Sequence, residues 1–529
     1  MLISKSSIGL KILKSAILVT IILASLHSVV NAQSDVIKDY AKALADGDIQ
    51  KAEKLWLPDV ITASRRLEIS YKDVPAKFDC TSILVQKLRD IRSKAAQVIV
   101  GTAEELDGYY KIPVTLAYST NKETFDYFVV PYFGKWLIAD RSYIFARSWP
   151  VLGTKYVDLH IGDSTRVNDF ALKALDNFIE QTARKLGITE DELARLKSQR
   201  IEYYLCNASQ IDSLTGYETE GMYDLPLDYI YSQHLPHEHE LVHLLVNYKL
   251  QNLPLYTLPI AQEGLAVALG GRWGKAPDVV LQLGDILIEN GFVDVKTLIT
   301  YDGFYTGAGS TDMSYPVAGL LMDMIVSEYG MDKTLKLYRA ISGSQGQVTA
   351  IDAEDFKKND VPNALGISYD DMISTFDKYR TKYRLYGIVP GEVGSNSKND
   401  LDFKGKNWKL NIADGTDKYG VSFRGPDNLV CTILLTDGDN TVEKTYKSWL
   451  FAEQNPDGVY NGERYGIVFS GEEAGFYDYY LNCLMAKYVY GFTPDSSYVS
   501  EDGSTITFTF EKDLLDKPID DYDASVDVH

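Results

Sequence analysis

Residues 235–264 contain a histidine and glutamate pattern that predicts a helix able to bind a metal ion. His239-Glu240-Leu241-Val242-His243 reads H-E-x-x-H. On a helix, positions i and i+4 share one face, so both imidazoles can reach one ion. Glu240 then lies to the side of the ion, where its carboxylate can accept a proton from an activated water without being a ligand. The apolar residues of the same stretch predict a buried helix, and Pro236 suits its start.

Catalytic zinc usually has three protein ligands, and the third candidate is Glu263. Residues 244–262 separate it from His243, which is enough to end one helix, cross a loop and begin a second, antiparallel helix. The competing interpretation is an adventitious metal binder or a solvated acidic face, because four of the seven histidines lie between 234 and 243. A chance H-E-x-x-H is uncommon in a chain of this length, which favours the zinc site.

HELVH at 239–243, followed by EGLA at 263–266, resembles the gluzincins of the peptidase MA clan. The resemblance implies a zincin-type α+β domain with one Zn2+ on His239, His243 and Glu263. It also implies that Glu240 is the general base in the hydrolysis of a peptide or protein substrate. A tyrosine or histidine stabilises the oxyanion in many gluzincins. Here the candidate is Tyr315, with Tyr305 as the alternative.

Two further expectations follow from the resemblance. Extended substrate binds at the sheet edge beside the metal helix in gluzincins, and the apolar run 227–231 is the expected edge strand. Some gluzincins also carry a carboxylate four residues after the glutamate ligand, which orients a ligand histidine. That position is Val267 here, so the orienting group must be a backbone carbonyl or another residue.

Charge and the N-terminus bear on location and partners. The net charge of −21 argues against nucleic acid or an anionic membrane surface as the main partner. Residues 1–32 resemble a secretory signal peptide, with basic residues, an apolar stretch over 12–26 and small residues up to Ala32. A transmembrane anchor is the alternative, but the apolar stretch is short for a span. No cysteine follows the expected cut, so we expect a secreted or periplasmic chain without a lipid anchor or stable membrane insertion.

Residues 33–150 predict an α+β accessory domain. Apolar residues recur at helical spacing near its start, and strand-like runs follow at 97–101, 109–118, 124–132 and 135–143. Helices followed by a curled antiparallel sheet predict an α+β cone. YAKALADGDIQKAEKLW and GKWLIADRSYIF resemble the SnoaL-like, nuclear transport factor-like fold. We find no catalytic constellation here, so the expected role is ligand binding or protein contact.

Residues 151–388 predict the metallopeptidase domain. Strands are expected at 156–160 and 201–206, and a long helix at 167–186. After Glu263 the pattern predicts further helices, at 276–290, 295–300, 315–329, 331–342 and 369–386. His160, at the end of the first strand, is expected to be structural.

Residues 389–400 predict a linker rich in glycine, serine and asparagine, and 401–529 predict a β-sandwich with an acidic tail. Its expected strands are 408–412, 419–423, 430–435, 465–469, 477–485, 488–492 and 504–510. Aromatic residues of such a module can stack on sugars, and the candidates are Trp449, Tyr477, Tyr479 and Tyr480. Cys431 and Cys483 can pair in an oxidising compartment or remain free thiols.

The sequence thus predicts a multidomain α+β protein with an N-terminal cone, a central zincin-type domain and a C-terminal β-sandwich. The favoured function is an exported zinc metallopeptidase. The alternatives are a non-catalytic surface protein with a vestigial gluzincin domain, and a carbohydrate-binding protein whose ligand is a glycan.

Overall fold

The computed structural model describes residues 32–164, 167, 169–272, 277–289, 291, 293–308 and 311–383, and from 401 onward the backbone of short strands. These residues form a mixed α+β protein, as the sequence predicts. They divide into two compact units. The first contains the described residues up to Pro150, with Asp212–Glu218 and Asp224–Tyr229. The second contains Val151–Ile211, Thr219–Tyr223 and the described residues from Ile230 onward.

The first unit places helices before an antiparallel sheet. Its helices are α1 (32–46), α2 (Ile49–Glu53), α3 (Pro58–Arg65), α4 (Ile83–Gln86), α5 (Leu88–Arg92) and α6 (Arg141–Phe145). Its strands are β1 (Gln97–Val100), β2 (Glu104–Glu105), β3 (Tyr110–Ala117), β4 (Lys122–Tyr132) and β5 (Lys135–Ala139). The sheet order is β1-β3-β4-β5, and β2 pairs with β3. Burial alternates along β3, so one face of this strand packs on the helices.

The last predicted strand of this unit, 135–143, is too long. β5 ends at Ala139, because the side chain of Asp140 accepts hydrogen bonds from the backbone N–H groups of Ser142 and Tyr143. That is the geometry of a helix N-cap, and α6 begins at the next residue. The aromatic character of 141–145 therefore belongs to a helix and not to the sheet.

A buried carboxyl group lies in the core of the first unit. Asp79 Oδ2 accepts hydrogen bonds from the hydroxyls of Tyr40 (2.6 Å), Ser82 (2.7 Å) and Tyr127 (2.8 Å). Burial raises the pKa of Asp79 to about 7, although the three hydroxyls act in the opposite direction. An unfolded aspartate ionises near pH 4. Asp79 therefore keeps its proton in the folded protein at pH values where the unfolded chain has lost it.

We expect stability to fall as the pH rises through this window. The raised pKa of Asp79 stabilises the fold fully below about pH 4, and that stabilisation is lost as the pH rises through about 7. Between pH 5 and pH 8 the loss amounts to about 2 to 3 kcal/mol. Asp79→Asn should reduce the pH dependence of the free energy of unfolding by that amount, measured by urea denaturation. The exposed Asp107→Asn is the control, and an unchanged pH dependence in Asp79→Asn would contradict the assignment.

The second unit is built on a mixed sheet. Its strands are β6 (Val151–Gly153), β7 (Val157–Ile161), β8 (Ile201–Leu205), β9 (Gly221–Asp224) and β10 (Tyr229–Ser232), in the order β6-β7-β8-β10-β9. β7, β8 and β10 run parallel, and β6 is antiparallel to β7. The run 227–231 is therefore not the edge strand that we expected. Its strand-forming part belongs to β10, which lies between β8 and β9, and β9 forms the edge.

Helices make up most of the second unit. They are α7 (Asp169–Lys185), α8 (Glu190–Gln199), α9 (Ala208–Thr215), α10 (Glu238–Leu250), α11 (Pro259–Gly270), α12 (Pro277–Glu289), α13 (Tyr301–Thr306), α14 (Thr311–Tyr329), α15 (Met331–Ala340), α16 (Gln345–Val348), α17 (Ala353–Asp355), α18 (Val361–Leu365) and α19 (Tyr369–Tyr379). A short ladder joins β11 (Tyr256–Thr257) to β12 (Ser342–Gly343). The predicted helix at 295–300 is only a 3-10 turn, Val295–Thr297.

The described strands from 401 onward form two antiparallel sheets. They are β13 (Leu401–Lys404), β14 (Trp408–Thr416), β15 (Ser422–Phe423), β16 (Leu429–Asp437), β17 (Asn440–Ser448), β18 (Val468–Ser470), β19 (Ser496–Val499) and β20 (Thr505–Thr509). One sheet has the order β13-β14-β16-β17, with β15 beside β14, and the other has the order β18-β20-β19. The sequence prediction missed β13, β17 and β19.

Several predictions fall outside the described residues. They are the signal peptide except for its last residue, the linker, the strands expected at 477–485 and 488–492, the acidic tail, Cys483, and the aromatic candidates Trp449, Tyr477, Tyr479 and Tyr480. Within the described part of the chain, no helix has both the length and the apolar character needed to cross a membrane.

Candidate metal centre

Helix α10 carries His239, Glu240 and His243. It begins after His237, and eight of its thirteen residues are buried, as its apolar residues predict. Helix α11 carries Glu263 and has Pro259 at its first position, where the missing N–H is not needed. The two helices are joined by residues 251–258, so the chain returns to place Glu263 opposite the histidines.

The three candidate ligands converge. One ligand atom each of His239, His243 and Glu263 lies within 4.8 Å of the other two, and they are the one such group in the described residues. Glu263 Oε2 is 3.2 Å from His239 Nε2 and 3.3 Å from His243 Nε2. The imidazole rings stand almost perpendicular, at 84°. Ligand atoms bound at 2.0 to 2.2 Å to a tetrahedral zinc are about 3.3 Å apart, so these separations fit such an ion.

The electrostatics keep the carboxylate ionised, which is the form that binds metal. Burial by itself raises the pKa of Glu263, but His243 and His239 outweigh it and hold that pKa well below its ordinary value. Burial lowers the pKa of His243, and Glu263 outweighs it, so the net shift is upward. Glu263 and His243 therefore each stabilise the charged form of the other.

A backbone carbonyl orients His239. Its Nδ1 is 3.0 Å from the carbonyl oxygen of Gly271, just after α11. Because a carbonyl can only accept, Nδ1 carries the proton and Nε2 is left to bind the metal. Val267, where some gluzincins have a carboxylate, is fully buried, and a side chain at Gly319 would collide with it. The position therefore faces α14, which explains why a carboxylate is not found there.

Gly271 has a conformation that other residues avoid. Its φ is +71° and its ψ is −160°, in a region almost restricted to glycine. We expect Gly271→Ala to move the carbonyl and to weaken zinc binding roughly 10- to 100-fold, as measured by chelator competition. Gly330→Ala is the matched control, because Gly330 has φ 83° and ψ 159° with open space around it, at the start of α15. Equal zinc affinity in the two variants would refute this role.

Glu240 is anchored through one carboxylate oxygen. Its Oε2 accepts a hydrogen bond of 2.8 Å from the backbone N–H of Tyr223 on the edge strand β9. This hydrogen bond fixes the carboxylate of Glu240, which directly follows His239 on the helix that carries both histidines. Glu240 belongs to the second unit, as does Tyr223, so the geometry lies within one compact body.

Tyr315 lies beside the candidate ligands, with its ring centroid 6.1 Å from that of His239. The guanidinium carbon of Arg272 is 3.4 Å from the centre of the Tyr315 ring, a cation–π contact. Burial, with a further contribution from Glu263, raises the pKa of Tyr315, so its hydroxyl keeps its proton. Burial followed by Glu263 also raises the pKa of Tyr305, which is more exposed.

His160 lies outside the candidate ligand group, as the sequence predicts; its Nε2 contacts Glu202, and its ring stacks on Tyr204 at 4.2 Å. Sequence reasoning missed Gly271 and Arg272. The signal for them was the Gly-Gly-Arg run at the end of α11, where a glycine commonly ends a helix.

Comparison with protein-family models, curated proteins and solved structures finds no match to this chain. The likeness to gluzincins therefore rests on the motif.

Proposed function

We propose that this protein is an exported zinc metallopeptidase that hydrolyses peptide bonds. The observation that carries the proposal is the convergence of His239, His243 and Glu263 beside Glu240, which shares helix α10 with the two histidines. Two imidazoles and a carboxylate form a ligand set typical of catalytic zinc, which leaves a fourth position for water or substrate. The motif resemblance to gluzincins points to the same chemistry.

A zinc ion on these ligands would lower the pKa of a coordinated water and polarise the substrate carbonyl. Glu240 accepts the proton of the attacking water and later delivers it to the leaving amine. The N–H of Tyr223 holds one oxygen of Glu240, which keeps the carboxylate aligned during both transfers. Tyr315, protonated and near His239, donates a hydrogen bond to the carbonyl oxygen as negative charge develops on it.

We infer the finer architecture from the sequence patterns together with the order of elements. Residues 33–150 act as a non-catalytic α+β cone, 151–388 as the zincin-type domain, and 401–529 as a β-sandwich. A signal peptide over 1–32 directs the chain to a secreted or periplasmic location. The substrate is a peptide or protein, and the C-terminal domain is a candidate to bind glycan.

The alternative is a surface or carbohydrate-binding protein with a vestigial metallopeptidase domain. The intact set of three ligands and Glu240 favours the enzyme, since loss of one of the four is the usual mark of degeneration. Tight glycan binding by the whole protein, without peptide cleavage, would favour the alternative.

The deciding experiment measures metal and cleavage together. Purified protein should contain about one zinc per chain by elemental analysis, and it should cleave members of a broad peptide library. A chelator should abolish cleavage, and added zinc should restore it. A protein that binds zinc and cleaves no peptide would overturn the proposal.

A further inference from the structure

The side chain of His237 lies next to Glu240, against strand β9. His237 directly precedes α10, and its side chain makes no helix-capping hydrogen bond. Its ring rests on the backbone of Gly221 in strand β9. A Cβ atom at Gly221 would lie 2.1 Å from His237 Nδ1 and 3.4 Å from Glu240 Cγ. The imidazole and the carboxylate therefore stand side by side on the edge strand, in a space that exists because residue 221 has no side chain.

The hydrogen bonds of Ser232 determine which ring nitrogen of His237 carries the proton. Ser232 Oγ accepts from the backbone N–H of His234 at 2.9 Å. Its own proton has three acceptors within reach: His237 Nδ1 at 2.8 Å, the carbonyl oxygen of Glu220 at 3.5 Å and the hydroxyl oxygen of Tyr203. The Tyr203 oxygen already accepts from the backbone N–H of His237, and the Glu220 oxygen is more distant, so the best bond is to Nδ1. Nδ1 is then an acceptor, so the proton of the neutral ring is on Nε2, which is a donor.

The surroundings place this ring beside the proposed base. The backbone N–H of His237 donates to the hydroxyl of Tyr203 at 3.0 Å, which holds the residue in position. The imidazole is half-buried, and it and Glu240 both border the position that a Cβ atom at Gly221 would occupy. It therefore lies next to the carboxylate that shares helix α10 with the two candidate ligand histidines.

We propose that His237 binds substrate, with its Nε2–H donating a hydrogen bond to a backbone carbonyl of the peptide beside strand β9. The role rests on the proposed function. His237 transfers no proton. Glu240 performs the proton transfers, and the imidazole of His237 holds the peptide in position beside Glu240. Ser232 and Gly221 are positioning residues. Ser232 sets the tautomer of His237, and Gly221 leaves the space that the imidazole ring occupies.

The test compares His237→Phe, which removes the donor, with His237→Gln, whose amide retains one. Zinc content and zinc affinity should equal those of the parent in both variants. In His237→Phe, kcat/KM for the best library peptide should fall roughly 10- to 100-fold, as expected for one lost hydrogen bond to substrate. His237→Gln should recover most of that loss.

Two further measurements are independent of this comparison: the first does not depend on turnover, and the second leaves residue 237 unchanged. Binding of the same peptide to the zinc-loaded Glu240→Gln protein, measured by calorimetry, should weaken by a similar factor when His237→Phe is added. Gly221→Ala should reproduce the loss, because its Cβ displaces the imidazole. His234→Phe is the matched control, because His234 Nε2 instead lies 3.5 Å from Glu220.

The outcomes separate the two proposals. If the parent cleaves peptide and His237→Phe keeps kcat/KM and peptide affinity within twofold, the role of His237 is wrong and the proposed function stands. If His237→Phe loses zinc, the residue supports the metal and the inference is also wrong. A parent that cleaves no peptide overturns both.

Discussion

Glu240→Gln is expected to retain zinc and to lower kcat by roughly two to four orders of magnitude. The amide is nearly the same size as the carboxylate, and its oxygen can still accept the hydrogen bond from Tyr223 N–H that Glu240 Oε2 accepts at 2.8 Å. Helix and ligands should therefore be preserved. The amide cannot accept a proton, so the attacking water loses its base. The measurement is turnover of the best library peptide at equal zinc content.

The control is Glu238→Gln, the same chemical change in the first turn of the same helix. It removes a nearby negative charge without touching the proposed base, and its turnover should stay close to that of the parent. Should the Glu240→Gln protein cleave within a few-fold of the parent, another group acts as the base. Should both proteins bind zinc and neither cleave any peptide, the vestigial interpretation becomes the better one.

Glu263→Ala is expected to abolish stoichiometric zinc, and His239→Ala and His243→Ala should do the same. Glu263 Oε2 lies 3.2 and 3.3 Å from the two Nε2 atoms, so its removal leaves two imidazoles without the ionised ligand between them. Two ligands hold zinc much more weakly than three. Zinc per chain after dialysis, measured by elemental analysis, checks the result, and circular dichroism shows whether the helices persist.

Gln262→Ala, at the neighbouring position of α11, is the control for altering this helix. It should retain one zinc per chain. A Glu263→Ala protein that still carries one zinc at the parent's affinity would show that the third ligand lies elsewhere. Loss of zinc from the control would show instead that the helix, and not the carboxylate, is what the substitution damages.

Sequence reasoning succeeded for the candidate site where the chemistry is local. His239 and His243 share a face because four residues make about one helical turn, and this holds wherever the helix packs. Helix α10 was expected to be buried from its own apolar residues, and the structure confirms that. Placing Glu263 opposite them required only that a second helix begin near Pro259, which it does.

Sequence reasoning failed where pairing or orientation depends on distant residues. The edge strand was expected at 227–231, because that run is apolar and precedes the metal helix. The edge is β9, and its glycine and aspartate residues give little strand signal. All four residues of β10, Tyr229–Ser232, are buried, which is typical of an inner strand whose two faces are both covered. Strand order comes from long-range pairing, which a local pattern does not encode.

The sequence by itself determined the candidate ligand set, the neighbouring carboxylate and the mixed α+β class, because each follows from residue types at short spacing. Only the tertiary structure decided which groups orient that set. The carbonyl of Gly271, just after α11, contacts His239 in α10, and the N–H of Tyr223 on the edge strand contacts Glu240. Arg272, also just after α11, contacts the ring of Tyr315 in α14. Two of these three contacts use backbone atoms, which every residue possesses. Residue types therefore do not predict these backbone contacts, which form only when the helices and strands pack together.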